Sequence, residues 1–361
     1  MKLSSQRKCM KKNRPLIIYL DSSDYSVLSG QISKEHTRCL NELAGLSEKG
    51  KVIFVFSCSI VSEMLPISKE NLSSASIRLK LMNSLCKYSL PALSDLMQRE
   101  VTGALNSKKA PVSLLTPKYG WIPTLANKSK PTVKFKFPSS TDKIKFYSEA
   151  KRISLENGCP KVISEFALAI SIGAISQENA SVAAIYESRN IDFLLNLIEF
   201  RFEFSSILSK AIRDPSVKFY ESMQKSILDL EAIKPTKIDW NEQLNKNWVS
   251  IINRVANSIN RSEQFSLTLE QVREYCPGLT TAVLSSYSSM LDSFREKNPR
   301  NPKNSDFADS LHALYAPYVD IFRADKYMSP HIRNGCPNKN VHIASDLLEL
   351  PEIIKDLLSK A

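Results

Sequence analysis

The sequence predicts an α/β fold whose mostly parallel central sheet is interrupted by a large all-helical insertion. Two short runs, Leu16 to Leu20 and Val52 to Phe56, are apolar at consecutive positions, as strands covered on both faces are. A helical pattern around Ser33 to Glu48 lies between them and supplies the crossover that parallel neighbours require. After residue 304 the alternation of helix and strand resumes, so the two halves of the α/β unit are far apart in the chain.

Taken in order, residues 1–13 form a basic tail carrying Lys2, Arg7, Lys8, Lys11 and Lys12. Residues 14–65 read as strand, helix, strand, helix, which is half of a doubly wound sheet. Ser57 and Ser59 follow the second strand as candidate helix caps, with Glu63 in the first turns of the helix. Residues 66–300 carry helical patterns around 72–104, 161–178, 181–212, 216–232, 239–261 and 279–297. Within them, about 106–140 is a loop rich in proline and lysine. Residues 301–361 hold the second half: the helix SDFADSLHAL, an extended run YVDIF, the strand VHIAS at 341–345 and a last helix in DLLELPEIIKDLL.

With 361 residues and 43% hydrophobic content, the chain can bury a substantial core. No run approaches the roughly 18 apolar residues of a membrane span, and the basic N-terminus lacks the apolar region of a signal peptide. The expectation is a soluble, cytoplasmic protein with no membrane partner. Seven scattered cysteines show no close pair, so they are read as reduced packing thiols. A net charge of +12 favours a polyanionic partner, and nucleic acid is the commonest one. Lys128, Lys130, Lys134 and Lys136, interleaved with Phe135 and Phe137, are one candidate patch; a charged hairpin is its plainer reading.

Residues 304–326 carry the strongest chemical signal. Phe307, Leu311, Leu314 and Tyr318 recur at helical spacing, while Asp306 and Asp309 lie three apart on another face. The chain then runs through YVDIF to Asp325. The first strand likewise ends on Asp21, with Ser22, Ser23 and Asp24 in the turn. In open α/β sheets, sites form at the carboxyl ends of strands. Several acids gathered there repel one another unless a cation joins them, which is why such a layout suits a divalent metal.

These strand contexts, with Asp21 after the first strand, Glu63 in the helix after the second, DFADSLHAL, and Asp325 after a later strand, resemble the PIN-domain nucleases. The resemblance covers roughly residues 14–65 and 300–361. It implies a three-layer PIN-like fold and a metal-dependent endonuclease that binds Mg²⁺ or Mn²⁺ and hydrolyses phosphodiesters, in RNA more than in DNA. By position the catalytic and ligating acids are Asp21, Glu63, Asp309 and Asp325, with Asp306 as an additional ligand. Two departures stand out: the helical insertion, and Ala324 where the family often has Thr-Asp or Thr-Asn before the last metal position, so a direct hydroxyl contact is absent there.

Around this set, Ser22, Ser23, Ser59 and His312 are expected as supporting residues that orient the acids. Arg300, Lys303, Arg323 and Lys326 are candidate contacts to substrate phosphate. The insertion is expected to shape a substrate groove, bind a protein regulator or mediate self-association. Rival readings stay open for each residue. Asp21, Asp306 and Asp325 fit helix caps, Glu63 fits a solvated helix face, His312 fits a packed core histidine, and Asp24 and Asp320 fit structural roles. At the level of function, a catalytically inactive PIN-like module that binds nucleic acid or protein is the alternative. A haloacid-dehalogenase-like phosphatase is a third, although Ser23 stands where that chemistry wants a second aspartate. A toxin, defence or RNA-turnover role would suit the nuclease reading.

Overall fold

The computed structural model describes residues 14–30, 32–109, 114–117, 120–121, 139–157, 190–200, 266–295 and 305–360, with scattered positions between 164 and 257. Its centre is a six-stranded sheet. Strands β1 (Leu16–Tyr19), β2 (Val52–Phe56), β3 (Cys86–Ser89), β4 (Thr116–Pro117), β5 (Ile321–Arg323) and β6 (His342–Ala344) lie in the order β4-β3-β2-β1-β5-β6. Every neighbouring pair is parallel except β3 with β4, which is antiparallel at the edge. The α/β class and the mostly parallel sheet match the sequence expectation.

The central strands are buried because both faces are covered. Ile17, Ile18, Tyr19 and Leu20 at β1, and Phe54, Val55 and Phe56 at β2, belong to one continuous apolar core. Helices α1 (Ser22–Gly30), α2 (Lys34–Glu48), α3 (Cys58–Met64), α4 (Leu72–Leu85) and α5 (Leu93–Leu105) follow or connect the first strands. Further along come α6 (Ser140–Asn157), α7 (Ile191–Phe200), α8 (Leu269–Tyr275), α9 (Pro277–Arg295), α10 (Ser305–Ala313), α11 (Met328–Gly335) and α12 (Leu350–Ser359). One set packs α2 against α12 and α1 against α2 and α4; another packs α9 against α5, α8, α10 and α11. Two helical sets around one sheet are consistent with three layers.

Residues 66–300 are not all helical. The expected helix over 72–104 is broken into α4, strand β3 and α5, and β3 pairs with β2 while β4 pairs with β3. Two of the six strands thus come from this stretch. Its expected helices at 161–178, 181–212, 216–232 and 239–261 lie largely outside the described residues, as do the tail 1–13 and most of the loop at 106–140. YVDIF is shorter as a strand than expected. Residues Ala316–Tyr318 form a buried 3₁₀ turn, and β5 begins only at Ile321.

Asp320 explains where β5 begins. Its carboxylate takes both guanidinium ends of Arg14 at 2.8 and 2.7 Å and the Ile17 amide at 2.8 Å, so it ties the entry of β1 to β5. The structural reading of Asp320 holds. Glu100 does comparable work between helices. Fully buried on α5, it accepts the amides of Gly278 and Leu279 at 2.6 and 2.9 Å and the phenol of Tyr318, filling donors left open at the start of α9. Burial pushes its pKa up to about 7 against those donors. The five described cysteines, Cys39, Cys58, Cys86, Cys276 and Cys336, are free thiols. No helix among the described residues is long and apolar enough to cross a membrane.

Candidate metal centre

Strand order sets the location. From β1 the chain moves outward through β2 and β3 on one side, while β5 and β6 lie on the other, so the direction of winding reverses between β1 and β5. The crevice beyond the carboxyl ends of those strands is where open α/β sheets place ligands. Asp21 leaves β1 there and Asp325 leaves β5.

Asp21 is held by its own turn. Its Oδ2 accepts the Ser23 amide at 3.1 Å and also the Ser23 hydroxyl, which fixes the rotamer. The Asp21 amide donates to Asp24 Oδ2 at 3.0 Å, and the Asp24 amide returns to the Asp21 carbonyl at 3.1 Å. Asp24 is buried and paired with Arg323 at 3.2 Å. Burial raises its carboxyl to about 7, with Arg323 pulling the other way.

Glu63 comes from α3, whose N-cap is Ser57: the Ser57 hydroxyl accepts from the Ile60 amide at 3.5 Å. Ser59 lies within the helix, and its buried hydroxyl has no hydrogen-bond partner among the described residues. Glu63 turns towards Asp21. One ligand atom each from Asp21, Glu63 and His312 falls within 4.8 Å of the others.

His312 is the residue that the sequence placed on the periphery. It lies on α10, three residues after Asp309 and so on the same helix face. The ring is almost fully buried; Nδ1 is 2.5 Å from the Tyr19 hydroxyl, which in turn is 2.7 Å from Ser57 Oγ. Nε2 lies 3.1 Å from Glu63 Oε2, but the approach is too poorly aligned to form a hydrogen bond. Burial opposes charging the imidazole, yet Glu63, with Asp21 and Asp309 behind it, outweighs burial and pushes the pKa up to about 9.

Asp309 is partly buried, and its carboxyl is held well above the usual range by burial, then by repulsion from Asp21, against the attraction of His312. Glu63 and Asp325 add to that repulsion, so Asp309 and Asp325 border the cluster without belonging to the tight group. Asp325 has a second task. Its Oδ1 accepts the Met328 amide at 2.5 Å and its carbonyl accepts the Ser329 amide at 3.0 Å, completing the first turn of α11. The cap reading of Asp325 therefore has direct geometric support.

Three expectations need correction. Arg323 does not face outward towards a phosphate: its side chain is turned into the fold, where it pairs with Asp24 and donates to the Ala324 carbonyl. Ser59 caps nothing and touches neither acid by a hydrogen bond. The convergence expected of four acids involves only two, and an imidazole supplies the third ligand atom. Ser22 begins α1, where its carbonyl accepts from Ser26. Lys326 is exposed and lies 3.5 Å from Asp346. Arg300, Lys303 and the Asp306 side chain lie outside the described residues.

No family model, curated protein or solved structure matches this chain. Two carboxylates and a buried imidazole nitrogen without an aligned partner converge at the switch point of a parallel sheet, and a divalent cation fits that donor set.

Proposed function

We propose that this chain is a metal-dependent, PIN-like endonuclease acting on RNA. The observation that carries the reading is the convergence of Asp21, Glu63 and His312 within 4.8 Å at the carboxyl end of β1. Support for a nucleic-acid substrate comes from the formal charge of +12, which draws phosphate backbones by a sequence-independent attraction.

A divalent ion such as Mg²⁺ or Mn²⁺, when bound, supplies water activation and neutralises charge on a scissile phosphate. The chain's own residues do the rest. Ser23 fixes the Asp21 carboxylate, and Glu63 approaches from α3 on the other side. Asp309, its carboxyl raised by burial and by repulsion from Asp21, borders the site as a candidate proton carrier. Lys326, exposed past the end of β5 and 3.5 Å from Asp346, remains the described candidate for a phosphate contact.

One observation favours the alternative, a non-catalytic module that binds nucleic acid or protein. A charged His312 against Glu63 balances part of the acidic cluster without any metal. Cleavage of labelled single-stranded RNA and DNA separates the two readings. The expected outcome is Mg²⁺- or Mn²⁺-dependent cleavage by the wild type, abolished by chelator and lowered at least about a hundredfold in Asp21→Asn and Glu63→Gln. Equal cleavage by all three proteins, or none by any, leaves the binding module.

A further inference from the structure

The acids Asp21 and Glu63 do not make this cluster unusual; the imidazole between them does. His312 Nε2 is buried, has no aligned hydrogen-bond partner and points at Glu63 from within the group. A core histidine that served packing alone would satisfy both ring nitrogens. Here Nδ1 is satisfied by Tyr19, while Nε2 meets Glu63 only as an ion pair outside hydrogen-bond geometry and is directed into a set of metal-ligand atoms.

The satisfied nitrogen is held by a chain of hydroxyls. Tyr19 is fully buried and stacks with Phe322 and Tyr315, ring centroids 5.0 and 5.8 Å away, so its hydroxyl has little freedom. It is 2.5 Å from His312 Nδ1 and 2.7 Å from Ser57 Oγ. With the proton on Nδ1 donated to Tyr19, and the Tyr19 proton passed on to Ser57, a cation that displaces the Nε2 proton would meet a lone pair facing the carboxylates. Metal-ligating histidines are commonly fixed in this way by a partner on the other nitrogen.

From this arrangement we infer that His312 is a direct metal ligand positioned by Tyr19, giving a centre of two carboxylates and one imidazole that selects first-row transition ions over Mg²⁺. The inference rests on reading the group as a metal site and deepens it by naming the class of ion. Mg²⁺ demands oxygen ligands in near-ideal octahedral geometry, whereas an imidazole ligand favours the transition series. Mn²⁺ is the weakest binder of that series, so a preference shown with Mn²⁺ understates the preference for its neighbours.

The test titrates chelator-treated full-length protein with MnCl₂, following free Mn²⁺ by electron paramagnetic resonance and adding MgCl₂ as competitor. Pulsed measurements on the bound ion read nitrogen-14 coupling, which arises only if an imidazole is coordinated. Expected are one strong Mn²⁺ site with nitrogen coupling, binding Mn²⁺ about tenfold or more tightly than Mg²⁺. Tyr19→Phe keeps the ring stack and loses the hydroxyl, so it should weaken Mn²⁺ binding about tenfold or more while the coupling persists. His312→Asn should abolish the coupling and the preference for Mn²⁺, and the wild-type spectrum stands on its own if that variant fails to fold. Bound Mn²⁺ without nitrogen coupling overturns the role of His312 and leaves an all-oxygen metal site intact. Failure of Mn²⁺ to bind at all overturns both this inference and the metal-site reading beneath it. A cleavage assay that fails while nitrogen-coupled Mn²⁺ is bound overturns only the nuclease reading.

Discussion

His312 shows how one side chain can hold a cluster together. In the absence of metal, its charge offsets Glu63, Asp21 and Asp309, and its pKa stands near 9 where an unfolded histidine has about 6.5. A raised folded-state pKa means that the folded protein binds the extra proton. Its contribution to stability is therefore complete below about pH 6.5 and is lost as pH rises through about 9. In chelator, the melting temperature should fall across that window, and His312→Asn should flatten the fall. An identical slope in the variant would show that other groups set it. The sequence placed His312 on the same helix face as Asp309, so the signal for its role was legible. What it lacked was the direction of the ring, which depends on Tyr19 from β1.

Among the elements, α9 is fixed by contacts that leave no room at its start. A methyl group added at Gly278 would lie 2.5 Å from the Leu314 carbonyl oxygen and 2.8 Å from Glu100 Oε1, so either the helix or the carboxylate must shift. Gly278→Ala should cost about 2 kcal/mol, within the range for overpacking a tight interior. Gly45, inside α2, has nothing within 4 Å of the same added atom. There the gain in helix propensity acts alone, and Gly45→Ala should stabilise by roughly 0.5–1 kcal/mol. Denaturant midpoints of the two variants should move in opposite directions; a shared sign would refute this account of the two helices. Strand β3 is the element hidden from pattern reading. CKYS is short, and Lys87 and Tyr88 are exposed, so no apolar run announces it. Pro91 was the available clue, since a helix over 72–104 would have to pass through it.

Across the whole molecule, two buried charges join segments that are about three hundred residues apart. Asp24, after β1, meets Arg323 at the end of β5, and Asp24 also holds the amide of Asp21. Removing Asp24 strands the Arg323 guanidinium in the interior, so Asp24→Asn should cost about 3–5 kcal/mol, whereas Arg323→Met leaves a carboxyl that can take a proton and should cost less. The double variant should cost clearly less than the sum, because Arg323→Met removes the charge that Asp24→Asn leaves uncompensated. Additive losses in chemical denaturation would show that the two residues act independently.

The α/β class was legible in the residues, since short apolar runs at β1 and β2, separated by a helical pattern, suit parallel strands covered on both faces. The sequence also determined that acids stand at strand ends and that the first and last parts of the chain belong to one sheet. Which of those residues meet depends on how the strands and helices are placed. Asp21 and Glu63 converge with His312, Arg323 turns inward to Asp24, and Asp325 spends its carboxylate on α11. The physical reason is that a strand or helix period fixes the face on which a side chain lies, whereas its partner is set by register and helix placement across the sheet. Here that means β1 lying beside β5, with α3 packed against α10.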